Sequence, residues 1–181
     1  PCRPAHAPPQ WPCPVVTTPP IRTIVSYQHG ASMTAHTSQR RQVVYATLDE
    51  FLTDVRGLVG GHVTTVGNWT LAQILEHLAR AIDSSIDGFS FQANWLVRKL
   101  VAPLLKNRLL TGRMQPGYNL RSRAASYLPA PDCELDSALA HLEQATARLD
   151  TTPPTASHPF LGRLSEREWL ALHLRHAELH M

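Results

Sequence analysis

The chain has 181 residues, of which 43% are hydrophobic and 17% charged, the composition of one soluble globular domain. Its formal net charge is +3, but Arg3 and Arg22 lie in an N-terminal stretch without acids, which leaves 15 basic and 14 acidic residues from 33 to 181. Bulk charge therefore disfavours binding to nucleic acid. The three widely spaced cysteines include no Cys-x-x-Cys pair, which argues against a disulfide framework and favours a reducing, cytoplasmic location.

Proline dominates the start of the chain, where it occupies eight of the first twenty positions. Proline removes backbone donors and fixes extended backbone, so we expect residues 1–38 to form a disordered tail and residues 39–181 to form one domain. The tail has no apolar run of the kind that marks a secretory signal. An alternative start at Met33, with residues 1–32 as a translated upstream tail, stays open.

Helix starts are marked three times by a hydroxyl residue followed three positions later by Glu or Gln, the pattern of a capping box. These boxes are Thr47-x-x-Glu50, Thr70-x-x-Gln73 and Ser165-x-x-Glu168. Apolar residues at helical spacing predict four main helices and hence an all-α four-helix bundle. The predicted helices are Leu48–Val59, Leu71–Ile86, Leu135–Leu149 and one from Ser165 to the C-terminus.

A basic helical insertion separates the second and third of these helices. The pattern from Ala93 to Leu110 predicts a helix that Pro103 kinks or divides, and residues 111–131 read as a long surface connection. The segment 98–123 is basic, and no acidic residue occurs from 88 to 131. The basic residues are Arg98, Lys99, Lys106, Arg108, Arg113, Arg121 and Arg123. This segment is either a solvated face that covers the bundle or a surface that binds an anionic ligand or membrane interface, without stable insertion into a bilayer.

Histidine is frequent, with ten in the chain and three in the last nine residues. On a helix that advances about 100° per residue, Trp169, His173, His176 and His180 fall within one narrow band. His176 and His180 are one turn apart, so their rings can converge on one metal ion. His77, on the flank of the second helix, is the best candidate for a third ligand, and His173 is either a ligand or a support for one.

The remaining polar residues near this stripe receive weaker assignments. Glu178 points about 200° away from His176 along the helix, which disfavours a His-Glu-x-x-His protease. His62, His141 and His158 are expected to be structural or solvent-facing. His6, His29 and His36 belong to the predicted tail.

Several segments of the chain together resemble a known group of proteins. They are GNWTLAQILEHL (67–78), SIDGF (85–89), HPFLGRL (158–164) and the stretch from Trp169 through HLRHAELH (173–180). Over about residues 41–181 the chain resembles the DinB/YfiT-like superfamily of four-helix-bundle metalloproteins, and more closely its branch called domain of unknown function 1569.

That resemblance implies a divalent metal held by His77, His176 and His180, the same residues that helical spacing selects. Zinc, nickel and iron are all compatible with imidazole ligands. It also implies a small-molecule substrate and a thiol-dependent transferase or isomerase that uses a low-molecular-weight thiol; a hydrolase acting through metal-bound water is an alternative. Two non-enzymatic readings stay open, namely a metal-stabilised bundle without turnover and a protein that binds anionic surfaces through the 98–123 segment. Dimerisation is left open.

Overall fold

The computed structural model describes residues 40–116 and 128–181, which form five α-helices and no β-strand. The helices are α1 (Leu48–Val59), α2 (Leu71–Asp87), α3 (Ala102–Thr111), α4 (Leu135–Thr151) and α5 (Glu166–His180). A π-helical segment, Val97–Val101, leads directly into α3. The all-α prediction is confirmed. The predicted tail 1–38 lies outside the described residues, as do Arg121 and Arg123.

Helix capping follows the chemistry expected from the sequence. Thr70 and Ser165 form complete capping boxes with Gln73 and Glu168 at the starts of α2 and α5. At α1 the box is altered, because Thr47 caps the amide of Glu50 while the Glu50 carboxylate accepts from the Ala46 amide at 2.7 Å instead of from Thr47. In all three cases amides that lack a partner within the helix find a side-chain acceptor.

The helix predicted from Ala93 to Leu110 is present, but the chain stays helical across Pro103 from residue 95 to residue 111, and the change from π-helical to α-helical geometry precedes the proline. Pro103 is the second residue of α3, where a helix needs no backbone donor, and the π-helical turns end at Val101. The Ala102 amide donates to the Val97 carbonyl, five residues earlier, so the wider π-helical hydrogen bonding continues up to the residue before Pro103.

Two hydrophobic clusters hold the helices together. In the larger one, α2 packs against α4 and α5, and α1 packs against the same two helices. Val55, Leu75 and Leu142 are fully buried there, and burial of each such side chain contributes about 1.5–3 kcal/mol. The smaller cluster surrounds Trp169 and joins α3 to α5. The packing of α1, α2, α4 and α5 around one core is consistent with the predicted bundle.

The two interfaces of α2 determine where its polar residues go. His77 is buried on the side that meets α5, whereas its neighbour Glu76 points to His141 of α4. Successive residues of a helix diverge by about 100°, so adjacent side chains reach different partners. None of the described helices combines the length and hydrophobicity that would be needed to cross a bilayer.

Candidate metal centre

Three histidine rings meet at the interface of α2 and α5. The Nε2 atom of His176 lies 3.2 Å from Nε2 of His77 and 3.2 Å from Nε2 of His180. One ring nitrogen from each residue lies within 4.8 Å of the other two. These are the three residues that the sequence selected, and the fold brings all three together in an arrangement compatible with a metal site.

The local structure explains this convergence. His176 and His180 stand one turn apart on α5, and their ring centroids are 4.9 Å apart. His77 comes from the N-terminal half of α2, which packs against α5, and its ring lies edge-on to both, with centroid distances of 5.0 Å. Two ligands come from one helix and one from its neighbour.

The spacing of the nitrogens fits a bound cation better than hydrogen bonding. A ring nitrogen offers either one proton or one lone pair, so Nε2 of His176 cannot direct a separate hydrogen bond at each of its two neighbours. Two nitrogens that bind a tetrahedral zinc at 2.0–2.1 Å lie about 3.3 Å apart. Within residues 40–116 and 128–181, no fourth histidine, cysteine or carboxylate belongs to this group.

Electrostatics keep the two imidazoles of α5, His176 and His180, in the form that binds metal. Burial, together with the neighbouring His180 and His77, lowers the pKa of His176 well below its ordinary value. Burial, His77 and Arg40 lower the pKa of His180 to about 3. Both rings are therefore neutral near pH 7, and a neutral imidazole has the lone pair that a metal requires.

Trp69 covers one side of the three histidines. Its ring stacks on His180 at a centroid distance of 5.8 Å and an interplanar angle of 15°, and lies 4.9 Å from the ring of His77. Helical periodicity does not indicate a role for Trp69, because this residue precedes α2. Its position immediately before the capping residue Thr70 was the available signal.

His173 shares the stripe of α5 but does not join the three histidines. It is buried, and its Nε2 lies 3.1 Å from the hydroxyl oxygen of Ser85 on α2. That hydroxyl donates to the carbonyl of Ile82 at 2.6 Å, so it accepts the proton from His173. The side chain of His173 therefore links α5 to α2 as a neutral, hydrogen-bonded group.

Glu178 also turns away from the three histidines, as its helical position predicts. Its carboxylate accepts from the Tyr45 amide at 2.8 Å and pairs with Arg175 at 2.5 Å. These partners bind the C-terminal part of α5 to the segment before α1. A role for Glu178 as a general base beside the histidines is not supported by this geometry.

The three other histidines of the described chain differ in environment. His62 is exposed, whereas His158 is enclosed by Phe89 and Trp169, and its Nδ1 accepts from the amides of Phe160 and Leu161. Burial and the nearby Arg98 lower the pKa of His158 to about 4. His141 lies between two carboxylates on α2. All three have structural or solvent-exposed positions, as expected, while His6, His29 and His36 lie outside the described residues.

Comparison with known proteins gives a family but no activity. A family model described as "Protein of unknown function (DUF1569)" matches residues 37–181. Searches of curated proteins and of solved structures found no significant match. Since the model covers most of the chain, the protein belongs to the DUF1569 family.

Proposed function

We propose that this DUF1569 protein is a divalent-metal-dependent enzyme of the DinB/YfiT-like type, with zinc, nickel or iron held by His77, His176 and His180. The observation that carries the proposal is the convergence of three imidazole nitrogens, with two separations of 3.2 Å. Imidazole binds all three metals, so the ligand set does not choose among them.

A site of catalytic type is favoured by the number of ligands. Structural zinc sites are closed by four protein ligands, whereas catalytic sites use three and leave a position for water or substrate. When bound here, the metal would lower the pKa of a thiol or water at that position. Trp69 and the buried His77 limit access of solvent from one side, and the helix pairing keeps the three rings in register.

We expect the nucleophile to come from a second molecule and not from a side chain of the described residues. Cys133, the only cysteine in residues 40–116 and 128–181, is half-buried near the start of α4, and its thiol donates to the Ala72 carbonyl. Burial and the neighbouring Glu76 raise the pKa of this thiol, which disfavours the reactive thiolate. A low-molecular-weight thiol would supply the missing group, so thiol-dependent transfer or isomerisation of a small molecule is the favoured reaction class, with hydrolysis by metal-bound water as the alternative.

A metal-stabilised bundle without turnover is the second candidate. A cation held by His77 of α2 and by two residues of α5 would connect two helices, and His77 and His176 are 99 positions apart in the sequence. Such a connection adds stability whether or not a substrate binds. The two candidates share their metal ligands. They differ in whether the ligand at the fourth coordination position of the metal can be exchanged for a thiol, water or substrate.

Metal analysis of untagged protein tests the site. Wild type should contain about one transition-metal ion per chain, and His77→Ala and His176→Ala should lose it. His62→Ala is the matched control, because it removes an exposed histidine elsewhere in the same chain. Wild type that stays folded and empty after zinc is offered would contradict the proposal.

Activity then separates the two candidates. Metal-loaded wild type is screened with low-molecular-weight thiols and electrophilic small molecules, and His176→Ala with the same metal serves as the blank. Turnover that depends on both metal and thiol supports the transferase or isomerase, and turnover with water alone supports a hydrolase. Stoichiometric metal, raised stability and no exchange of the open position with added thiol or imidazole would identify the metal-stabilised bundle.

A further inference from the structure

Hydrophobic exposure is concentrated in the segment that includes the π-helical turns and α3. Between Trp95 and Leu105, seven large hydrophobic side chains are exposed, and Trp95, Leu100 and Leu104 are exposed by 68%, 61% and 80%. The full set is Trp95, Leu96, Val97, Leu100, Val101, Leu104 and Leu105. Single exposed leucines are ordinary, but a contiguous set of this size marks an interaction surface.

The segment has two distinct faces. Ala102 is buried and Leu109 half-buried against the Trp169 cluster, and they define an inner face that packs on α5. Leu96, Leu100 and Leu104 follow one another at intervals of four on the outer face, and Arg108 continues this line. We call the outer side chains from Trp95 to Leu105 the outer apolar face. The inner contacts fix the segment on the bundle, so the outer apolar face is presented as a preformed surface.

Cations border the outer apolar face, and some of them are already used. The Arg98 guanidinium binds Gln92 at 2.8 Å and Ser157 at 2.7 Å, and Lys106 pairs with Glu168 at 2.7 Å. Through Ser157 and Glu168, these two residues attach the segment to the rest of the domain. Lys99 and Arg108 are exposed and have no hydrogen bond or ion pair with any residue that the structure describes.

We propose that the outer apolar face docks on the surface of an anionic phospholipid bilayer. An interfacial segment buries Leu and Trp side chains at the acyl boundary while Lys and Arg extend to the lipid headgroups, and this segment presents both groups from one helical element. The face offers leucine, valine and tryptophan side chains with few polar groups, which suits acyl chains better than the mixed surface of an acidic protein.

The absence of acidic residues argues against a second copy of the chain, or its own residues 1–39 and 117–127, as the partner of the outer apolar face. Residues 88–131 contain no acid, so a second copy packed face to face would bring cations against cations. The parts of the chain outside the description, residues 1–39 and 117–127, also contain no acidic residue. An anionic partner is the one that Lys99 and Arg108 complement. This proposal does not depend on the metal.

Vesicle sedimentation with the full chain tests the proposal. The vesicles contain either phosphatidylcholine alone or phosphatidylcholine with phosphatidylserine, at low and at high salt. Wild type should sediment with the anionic vesicles at low salt, and Leu100→Gln with Leu104→Gln should weaken binding by about tenfold or more, since each buried leucine contributes strongly to interfacial partition. Lys99→Glu with Arg108→Glu should also weaken it, by about tenfold or more.

Val44→Gln is the matched control, because Val44 is 73% exposed but lies before α1, outside the outer apolar face. Its binding should equal that of wild type. Bromine-labelled acyl chains should quench tryptophan fluorescence in wild type, and Trp95→Phe should remove most of that quenching. All variants change exposed side chains, so each should keep the wild-type circular dichroism spectrum.

Four results would overturn the proposal. The first is absence of sedimentation with anionic vesicles at low salt, and the second is binding that Leu100→Gln with Leu104→Gln leaves unchanged. The third is a different occupant: a wild-type dimer in analytical ultracentrifugation that this double variant dissociates would assign the face to a second copy. A large loss of thermal stability in the double variant would likewise show that the chain's own segments cover the face.

Discussion

The two interfaces of α2 both contain histidine, but they shift its pKa in opposite directions. Toward α5, His77 meets two half-buried imidazoles and an indole ring, and the pKa values of His176 and His180 are lowered. Toward α4, His141 places Nδ1 at 2.7 Å from Glu76 and Nε2 at 2.9 Å from Asp83. Burial lowers the pKa of His141, but these carboxylates outweigh it and raise that pKa overall.

The contrast shows that the partners of a histidine determine its use. With a carboxylate at each ring nitrogen, His141 is favoured in its cationic form, in which both ring protons are donated and no lone pair remains for a metal. His176 and His180 on α5 face other imidazoles, and their lowered pKa values favour the neutral form that retains a lone pair. Arg148 extends the charged interface to Asp83 and Asp87. One helix thus separates a charged, structural interface from a neutral one that can bind a cation.

Zinc gives the largest expected difference between the interfaces. If the three histidines bind it, free zinc about a thousandfold above the Kd should raise the free energy of unfolding by about 4 kcal/mol. His176→Ala should abolish this gain, because it removes the central ligand, whereas His141→Ala should keep it. Thermal melts with and without zinc measure the effect. An equal gain in wild type and His176→Ala would place zinc elsewhere.

The second largest effect should be a loss of stability in acid at the interface of α2 and α5. The pKa of His173 is lowered to about 4 by burial and by His158, so its contribution is complete above the unfolded value of about 6.5 and is lost as the pH falls toward 4. A shift of this size corresponds to about 3 kcal/mol. His173→Gln should flatten the acid limb of the stability curve, as measured by urea unfolding between neutral and acidic pH. A limb as steep as that of wild type would show that His173 does not carry this dependence.

Replacing Trp69 should have an intermediate effect that is limited to the affinity for metal. Trp69→Ala removes the ring that stacks on His180 and restricts His77, and groups that orient ligands typically change metal affinity by about tenfold or more. Zinc titration against a competing chelator measures the Kd. Trp95→Ala is the control, since Trp95 is exposed on another part of the molecule. Equal affinities in the two variants would leave Trp69 without a role in orientation.

The charged interface should show the smallest effect and the opposite dependence on pH. Because the folded pKa of His141 is raised, its ion pairs add stability fully below the unfolded pKa of about 6.5, and this is lost as the pH rises through the folded value. His141 is partly exposed, so the contribution is about 1 kcal/mol. His141→Gln keeps a polar side chain without charge and should cost stability at mildly acidic pH but little at alkaline pH. A cost independent of pH would contradict the assignment of charge.

Much of this architecture could be predicted from local sequence. The starts of α1, α2 and α5 follow from hydroxyl and acid or amide residues three positions apart, which act over one helical turn. The pairing of His176 with His180 follows from the same periodicity, and the choice of His77 required only that α2 and α5 should pack together. Pro103 predicted a kink or a division, but the chain stays helical across it, and the π-helical form of the preceding turns follows no local pattern in the sequence.

Tertiary packing determined the contacts between helices, which the periodicity of a single helix does not specify. His173 and His176 lie on one stripe, yet the rotation of α5 against α2 directs His173 to Ser85 and His176 to His77. The same packing brings Trp69 onto His180. Sequence therefore determined which residues could share a face of a helix, because covalent geometry fixes that face. Only the fold determined which of them meet across helices, because those contacts depend on the rotation and offset of whole helices, which the burial of many side chains sets together.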